Sequence, residues 1–291
     1  MEEQHVFVQL LEFLANGIAL GAIYALLAVP MSVVWVTTDV IDVSTGGYAV
    51  TAGMLAAVIG IPYGPFVGIA AALLLGAVAG SVFLGFHAIR KQHDAMLIVL
   101  ATFALMLAIE SGILTMFGTD NRFLEPIPGM VEWSGAVITH QSLFNLGVSI
   151  VVMLALGAIL KLTRLGLQMR ASAISDRAAM LVGVAVRRTQ FLTFVFCAGI
   201  AGIAGVLAVH AIGMTYASTF IFTTVAFSGT VILGRAGPVP AFWGAMLLGV
   251  VTAMGDAYLP NGWAAGLPSL LIILVLATGR MPATAFTGAR P

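Results

Sequence analysis

Residues 9–36 read QLLEFLANGIALGAIYALLAVPMSVVWV, a run of 28 residues whose one charge is Glu12. A helix that crosses lipid needs about 20 mostly apolar residues. This run exceeds that length and holds Pro30, which predicts a kinked helix or one and a half helices. Further apolar runs follow near 43–60, 64–89, 95–117, 142–162, 189–210, 218–234, 238–257 and 263–279. They are long and continuous, without the every-second-residue alternation of barrel strands, so they read as helices. The long first run and two short ones bracket the expectation at eight to ten spans.

Composition agrees with that reading. Of 291 residues, 60% are hydrophobic and only 8% charged, and mean hydropathy is +1.09. A soluble domain carries about 25% charged residues. So few charges exclude a soluble enzyme, a disordered chain and a nucleic-acid binder. The net charge of zero gives no long-range field for polyanions. The single cysteine, Cys197, excludes a disulfide framework and reads as a small packing residue. The expected architecture is an all-α polytopic transmembrane helix bundle, one domain over 1–291. The N-terminus carries Glu2 and Glu3 and no early Lys or Arg, unlike a cleaved signal peptide.

Lys and Arg in the loops set orientation. With nine spans, eleven of the twelve fall on one side: Arg90, Lys91, Lys161, Arg164, Arg170, Arg177, Arg187, Arg188, Arg235, Arg280 and Arg290. Only Arg122 falls on the other. This puts the N-terminus outside and the C-terminus in the cytoplasm. The outer loop near 118–141, with Pro126, Pro128, Gly129 and Trp133, reads as a turn-rich cap. The inner loop near 163–188 holds one short amphipathic helix from about Ser175 to Val182. Ser175 or Asp176 caps it, Ala178, Leu181, Val182 and Val184 form its apolar stripe, and Gly183 stops it.

Small residues at Gly17/Gly21, Gly76/Gly80 and Gly199/Gly202/Gly205 predict close helix packing. Acids near or inside apolar runs are costlier, about 2.5–3.5 kcal/mol at the bilayer centre, and usually face an interior or a cavity. Glu12 and Asp256 read as interfacial. Asp39 and Asp42 lie in TTDVIDVSTGG, a polar interruption between two apolar runs. Irregular backbone at membrane depth survives only where buried or lining water. The segment is either part of a pathway or a plain cytoplasmic turn. Glu110, mid-run in LMLAIESGIL, reads equally as a structural or a substrate-facing group. His5, His87, His93, His140 and His210 have no metal-ligand spacing, and there is no GxxxxGK[ST] loop. GTVILGRAGPVPAFWGAM, lacking βαβ context, reads as a tight inter-helix turn.

Three stretches together resemble the permeases of branched-chain amino-acid-type ABC importers (LivH/LivM). They are NGIALGAIYALLAVPMSVVWVTTDVIDVSTGGYAVTAGM (16–54), TRLGLQMRASAISDRAAMLVGVAVRRTQFLTFVFCAGIAGIAGVL (163–207) and VILGRAGPVPAFWGAMLLG (231–249). The second is the most specific, close to the family's TRxGxxxRAxxxxxxxAxxxGI pattern. The resemblance implies a transport subunit, not an enzyme, with no cofactor of its own. It implies a second related permease, two cytoplasmic ATP-binding subunits that carry the ATP, and an extracytoplasmic solute-binding protein. It implies a bacterial cytoplasmic membrane. It makes Ser175, Asp176, Arg177, Ala178, Ala179 and Gly183 the coupling helix, and Tyr24, Asp39, Asp42, Thr45 and Glu110 pathway candidates. Arg170, Arg177, Arg187 and Arg188 would pair with acids of the ATPase or with anionic lipid headgroups.

The chain also departs from the family. Where the family often has Asn-Phe-Ala-His-Gly-Glu, it has Asp42, Val43, Ser44, Thr45, Gly46 and Gly47. Glu110 and Ser111 stand where an amide and Asn are common, and Arg235 where glycine is common. Branched-chain or related amino acids are the first substrates implied, then urea, short amides and small carboxylates. Two rival readings are an ion-coupled secondary transporter using Glu110, Asp39 or Asp42, and a membrane-embedded enzyme, for which the sequence offers no acid/base set.

Overall fold

The computed structural model describes residues 2–89, 95–133, 136–233, 237–259 and 266–277. Arg90, Lys91, His93, Arg235, Arg280 and Arg290 lie outside them, as does the C-terminal end. The helices are α1 (Glu2–Thr38), α2 (Thr45–Ile59), α3 (Gly64–Ile89), α4 (Ala95–Phe117) and α5 (His140–Leu162). After them come α6 (Arg164–Ile174), α7 (Asp176–Leu181), α8 (Val186–Ala211), α9 (Ser218–Val231), α10 (Pro238–Tyr258) and α11 (Leu267–Ala277).

Six helices are long and apolar enough to cross a membrane: α1, α3, α4, α5, α8 and α10. The expected runs at 43–60 and 218–234 are α2 and α9, of 15 and 14 residues. At 1.5 Å per residue they reach about 22 Å, short of a roughly 30 Å hydrocarbon core. Among the described residues there are thus six full-length candidates where the sequence predicts eight to ten. The first run is one helix of 37 residues that continues through Pro30. Next to the proline, the Ala28 carbonyl accepts the Thr230 hydroxyl at 3.0 Å, a neighbour's hydroxyl supplementing the helix ladder.

Small residues set the packing. Gly17 and Gly21 on α1 lie against the backbone of Val250, Gly249 and Met246, while Ser32 Oγ accepts from Gly237 N at 3.1 Å. α1 and α10 are therefore antiparallel. Gly76 and Gly80 on α3 meet Ala198, Phe194 and Phe191 of α8, and Gly202 of α8 meets Ala72 of α3. Gly64 and Gly68 of α3 meet Ala56 and Ala52 of α2. Gly205 of α8 lies against the carbonyl oxygen of Ala49 in α2. With lipid outside as apolar as the interior, such backbone contact is what holds membrane helices together. One large buried cluster results. It draws on α1 to α5 and α8 to α10, with Phe83, Phe194, Tyr48, Met54 and Leu26 all nearly inaccessible.

Both long loops differ from their sequence reading. The outer one holds a hairpin, β1 (Met130–Trp133) against antiparallel β2 (Ala136–Thr139), not only turns. Glu12 Oε1 accepts from Val137 N at 2.8 Å, tying the hairpin to α1. Arg122 and Met214 exchange backbone hydrogen bonds of 2.9 Å, so the loop crosses the α8–α9 connection as a cap. The inner loop holds two helices where one was expected. α7 begins and ends within one residue of the expected helix, and α6 precedes it. The sequence missed α6 because Arg164, Gln168, Arg170 and Ser172 make it too polar to stand out beside the long apolar runs, although its pattern is amphipathic.

Candidate functional site

α1 ends at a designed stop. Thr37 and Thr38 hydroxyls bond back to the carbonyls of Val33 (2.7 Å) and Val34 (2.8 Å). Asp39 then adopts φ +57° and donates its N–H to Trp35 at 2.8 Å, the left-handed residue that closes a helix end. Asp is among the few side chains that tolerate this region.

Residues 39–44 are not helical, yet half of them are buried: Val40, Asp42 and Ser44 are almost inaccessible. Their polar groups are met by side chains from two other helices. Thr102 of α4 accepts from Val43 N at 3.3 Å. Thr223 of α9 donates to the Val43 carbonyl at 3.0 Å and accepts from Gly46 N at 3.2 Å. Gly46 is the place where α2 rests on the α9 backbone at Thr219, and any Cβ would collide with it.

At the centre stands Asp42. Its Oδ1 accepts from Ser44 N at 3.0 Å and from Ser44 Oγ, and its Oδ2 accepts from the Tyr48 hydroxyl at 3.0 Å. Ser44 Oγ and the Tyr48 hydroxyl are themselves 2.6 Å apart. Thr45 Oγ1 donates to the Asp42 carbonyl at 2.9 Å. Cys197 of α8 lies within electrostatic reach of Asp42. A buried acid is tolerable only when its oxygens are paired in this way. Residues 39–44 are thus tied to their neighbours through both backbone and side-chain groups. They form a hydrogen-bonded knot joining α1, α2, α4 and α9.

The other pathway candidates scatter. Thr45 belongs to the knot, and Asp39 is at its exposed edge. Glu110 is half-buried on α4, one residue from Ile109, which packs on Gly47. Tyr24 is buried on α1. A pocket of about 330 Å³ lies between α1, α5, the end of α8 and α10. Asn16, Ser142, Asn145 and Asp256 supply its polar groups, and Phe13, Leu20 and Ile23 much of its apolar wall. Asn145 is buried and accepts from Gln141 Nε2 at 2.8 Å, while Gln141 Oε1 accepts from Ile127 N of the outer loop at 3.0 Å. Sequence reasoning missed Asn16 and Asn145. Gln141, Asn145 and Ser149 recur every fourth residue along α5 and are all buried. That spacing was the available signal.

The expected coupling helix stands at the opposite end. Ser175 caps α7, its Oγ accepting from Ala178 N at 3.3 Å, and Asp176 occupies the first turn, where the helix dipole favours an acid. Asp176 Oδ2 accepts from Gln190 Nε2 of α8 at 3.2 Å. Ala179 is buried and anchors the helix. Arg177 and Ala178 are exposed. Gly183 ends the turn at φ +85°. Ile174, Met180, Leu181 and Val182 are more than half exposed, with Leu181 at 89%.

Residues 13–276 match the family described as branched-chain amino acid transport system, permease component. The high-affinity branched-chain amino acid transport system permease protein LivH of Salmonella typhimurium is 26% identical, over 95% of each chain. The probable branched-chain amino acid transport permease protein LivH of Methanocaldococcus jannaschii is 21% identical, over 87% of this chain and 83% of its own. Among solved structures, PsaBC from Streptococcus pneumoniae in complex with Fab has the same fold. The match has a TM-score of 0.56 and 14% identity, covering 99% of this chain and 98% of that one. With six apolar helices of spanning length and a family match over most of its length, this multi-pass membrane chain belongs to the branched-chain amino acid transport permeases.

Proposed function

We propose that the chain is the membrane subunit of an ATP-driven ABC importer in a bacterial cytoplasmic membrane. It pairs with a second related permease and docks two cytoplasmic ATP-binding subunits. An extracytoplasmic solute-binding protein delivers the solute. The chain itself carries no ATP and performs no covalent chemistry. The observation that supports this most is the exposed apolar cluster of Ile174, Met180, Leu181 and Val182, presented by a capped helix that Ala179 and Asp176 fix to α8. A short rigid knob of this kind suits a groove on a soluble motor and transmits rigid-body motion.

The eleven-to-one division of Lys and Arg supports an outer N-terminus and an inner α7. In that frame α2 and α9 are half-helices. Their non-helical flanks complete two crossings, and α11 makes a ninth.

The outer pocket fits a small amino acid. Asp256 suits an ammonium group, Asn16 and Asn145 suit a carboxylate, and Phe13, Leu20 and Ile23 suit an apolar side chain. Urea, short amides and small carboxylates would use only part of that set. The test is ATP-dependent uptake by the reconstituted importer with Asp256→Asn. A charge-assisted hydrogen bond is worth about 1.5–3 kcal/mol, so KM for a branched-chain amino acid rises about tenfold or more. KM for an uncharged amide stays within about twofold. Equal effects on both solutes would remove Asp256 from the entry site.

A further inference from the structure

A further cavity belongs to neither the knot nor the outer pocket. It is a groove of about 530 Å³ between α1, α5, α6 and α10, at the end of the bundle that bears α6 and α7. Its floor includes Leu156 and Met169, both buried. Its lip includes Ile150, Leu154 and Val239, which are 46–70% exposed. Lys161 and Arg170 are its charged lining residues, and no carboxylate lines it. Arg170 Nη2 donates to the Lys161 backbone carbonyl at 3.4 Å, which ties the Arg170 side chain to the same rim as Lys161. Both residues are exposed.

We infer that this groove binds one anionic phospholipid of the surrounding bilayer. One acyl chain lies in the apolar cleft, and the phosphate sits between Lys161 and Arg170. Three observations favour lipid over a protein helix. The volume is within the range of about 300–1,000 Å³ typical of small-molecule sites. The walls are mostly large apolar side chains, whereas helix-on-helix contacts in membranes select small ones, as the glycine contacts of α1 with α10 and α3 with α8 do in this chain. Two cations over an apolar cleft, with no acid to neutralise them, complement an anionic headgroup on an acyl stem. Basic pockets between helices recognise such headgroups elsewhere.

The position gives the site a consequence. α6 forms one wall and leads through Ser175 into α7. A lipid wedged between α6 and the α1–α10 pair holds the base of the docking helix in place.

Gly157 provides a clean perturbation. It lines the groove, and a Cβ placed there meets nothing within 4 Å. Gly157→Phe fills the cleft from within, whereas Lys161→Gln with Arg170→Gln leaves the cleft open and removes only its charge. The experiment is native mass spectrometry of the full chain in mild detergent with equal phosphatidylglycerol and phosphatidylcholine. The wild type is expected to retain one phospholipid and to prefer phosphatidylglycerol. The double Gln variant should lose about thirtyfold of that preference, from two headgroup cations, while still binding either lipid weakly. Gly157→Phe should lose the bound lipid of both kinds.

Equal retention of the two lipids by the wild type would overturn the proposal. So would an unchanged preference in the double Gln variant. In the assembled importer, a cysteine placed at Leu154 should react with a lipid-borne thiol reagent. Its cross-linking to a second permease chain instead would assign the groove to a protein partner.

Discussion

Replacing Asp42 tests the knot most sharply. Its carboxylate takes hydrogen bonds from Ser44 N, Ser44 Oγ and Tyr48 Oη, all in a segment shielded from solvent. Asp42→Ala removes the acceptor from three donors at once. Ser44 Oγ and Tyr48 Oη lie 2.6 Å apart, so one of them re-pairs with the other. That leaves one hydroxyl and the Ser44 N–H without an acceptor. Each such buried group costs about 1–3 kcal/mol, giving about 2–6 kcal/mol in all. Asp42→Asn differs. Its carbonyl oxygen keeps both Ser44 donors, its amide donates to Tyr48 Oη, and the tyrosine proton turns to Ser44. The cost falls to about 1 kcal/mol. Tyr48→Phe loses one hydrogen bond, again about 1 kcal/mol. Thermal unfolding in one detergent reads all three. At roughly 2–4 °C per kcal/mol, Asp42→Ala should lower Tm by roughly 5–20 °C and the other two by a few degrees. An Ala variant within about 2 °C of wild type, with altered solute flux, would make Asp42 a pathway group and refute the knot.

Four other outcomes follow from the same structure. Gly205→Ala drives a methyl into the Ala49 carbonyl, so overpacking of about 1–3 kcal/mol should lower Tm. Gly147→Ala, whose new methyl meets nothing within 4 Å, should raise Tm slightly through the roughly 1 kcal/mol helix preference of alanine. Leu181→Asp on α7 should leave Tm within a few degrees, since Leu181 is 89% exposed, yet abolish binding of the ATP-binding subunits in a pull-down. Gly183→Val forces a β-branched side chain to φ +85° and should cost about 1–3 kcal/mol locally. It is expected to reduce ATP-driven transport more than membrane insertion, as measured by uptake against the amount of protein in the membrane.

Much of this molecule is written in local pattern. Hydrophobic length marks the six full-length helices, and Ser175 followed by Asp176 and Gly183 marks α7 to within a residue. TTDVIDVSTGG announces a break at membrane depth because its polar groups need partners wherever they sit. Which partners is a tertiary matter. Thr102 and Thr223 are 59 and 180 residues from Val43, and nothing in their neighbourhoods marks them. Ser44 and Tyr48 were nearer to hand, since an Asp two residues before a Ser is a common local turn. The short reach of α2 and α9 was partly visible, since their ends lie within three residues of the short runs at 43–60 and 218–234. The outer pocket was illegible because Asn16, Asn145 and Asp256 come from three distant helices. The hairpin escaped because strands of four residues carry too little alternation to register.

The most direct test of the central claim is affinity purification of the tagged chain in mild detergent, with mass spectrometry of what accompanies it. The account predicts a second, related hydrophobic permease together with P-loop ATP-binding subunits that are lost on Leu181→Asp. A chain that purifies alone, and that moves solute in liposomes under an ion gradient without ATP, would contradict it.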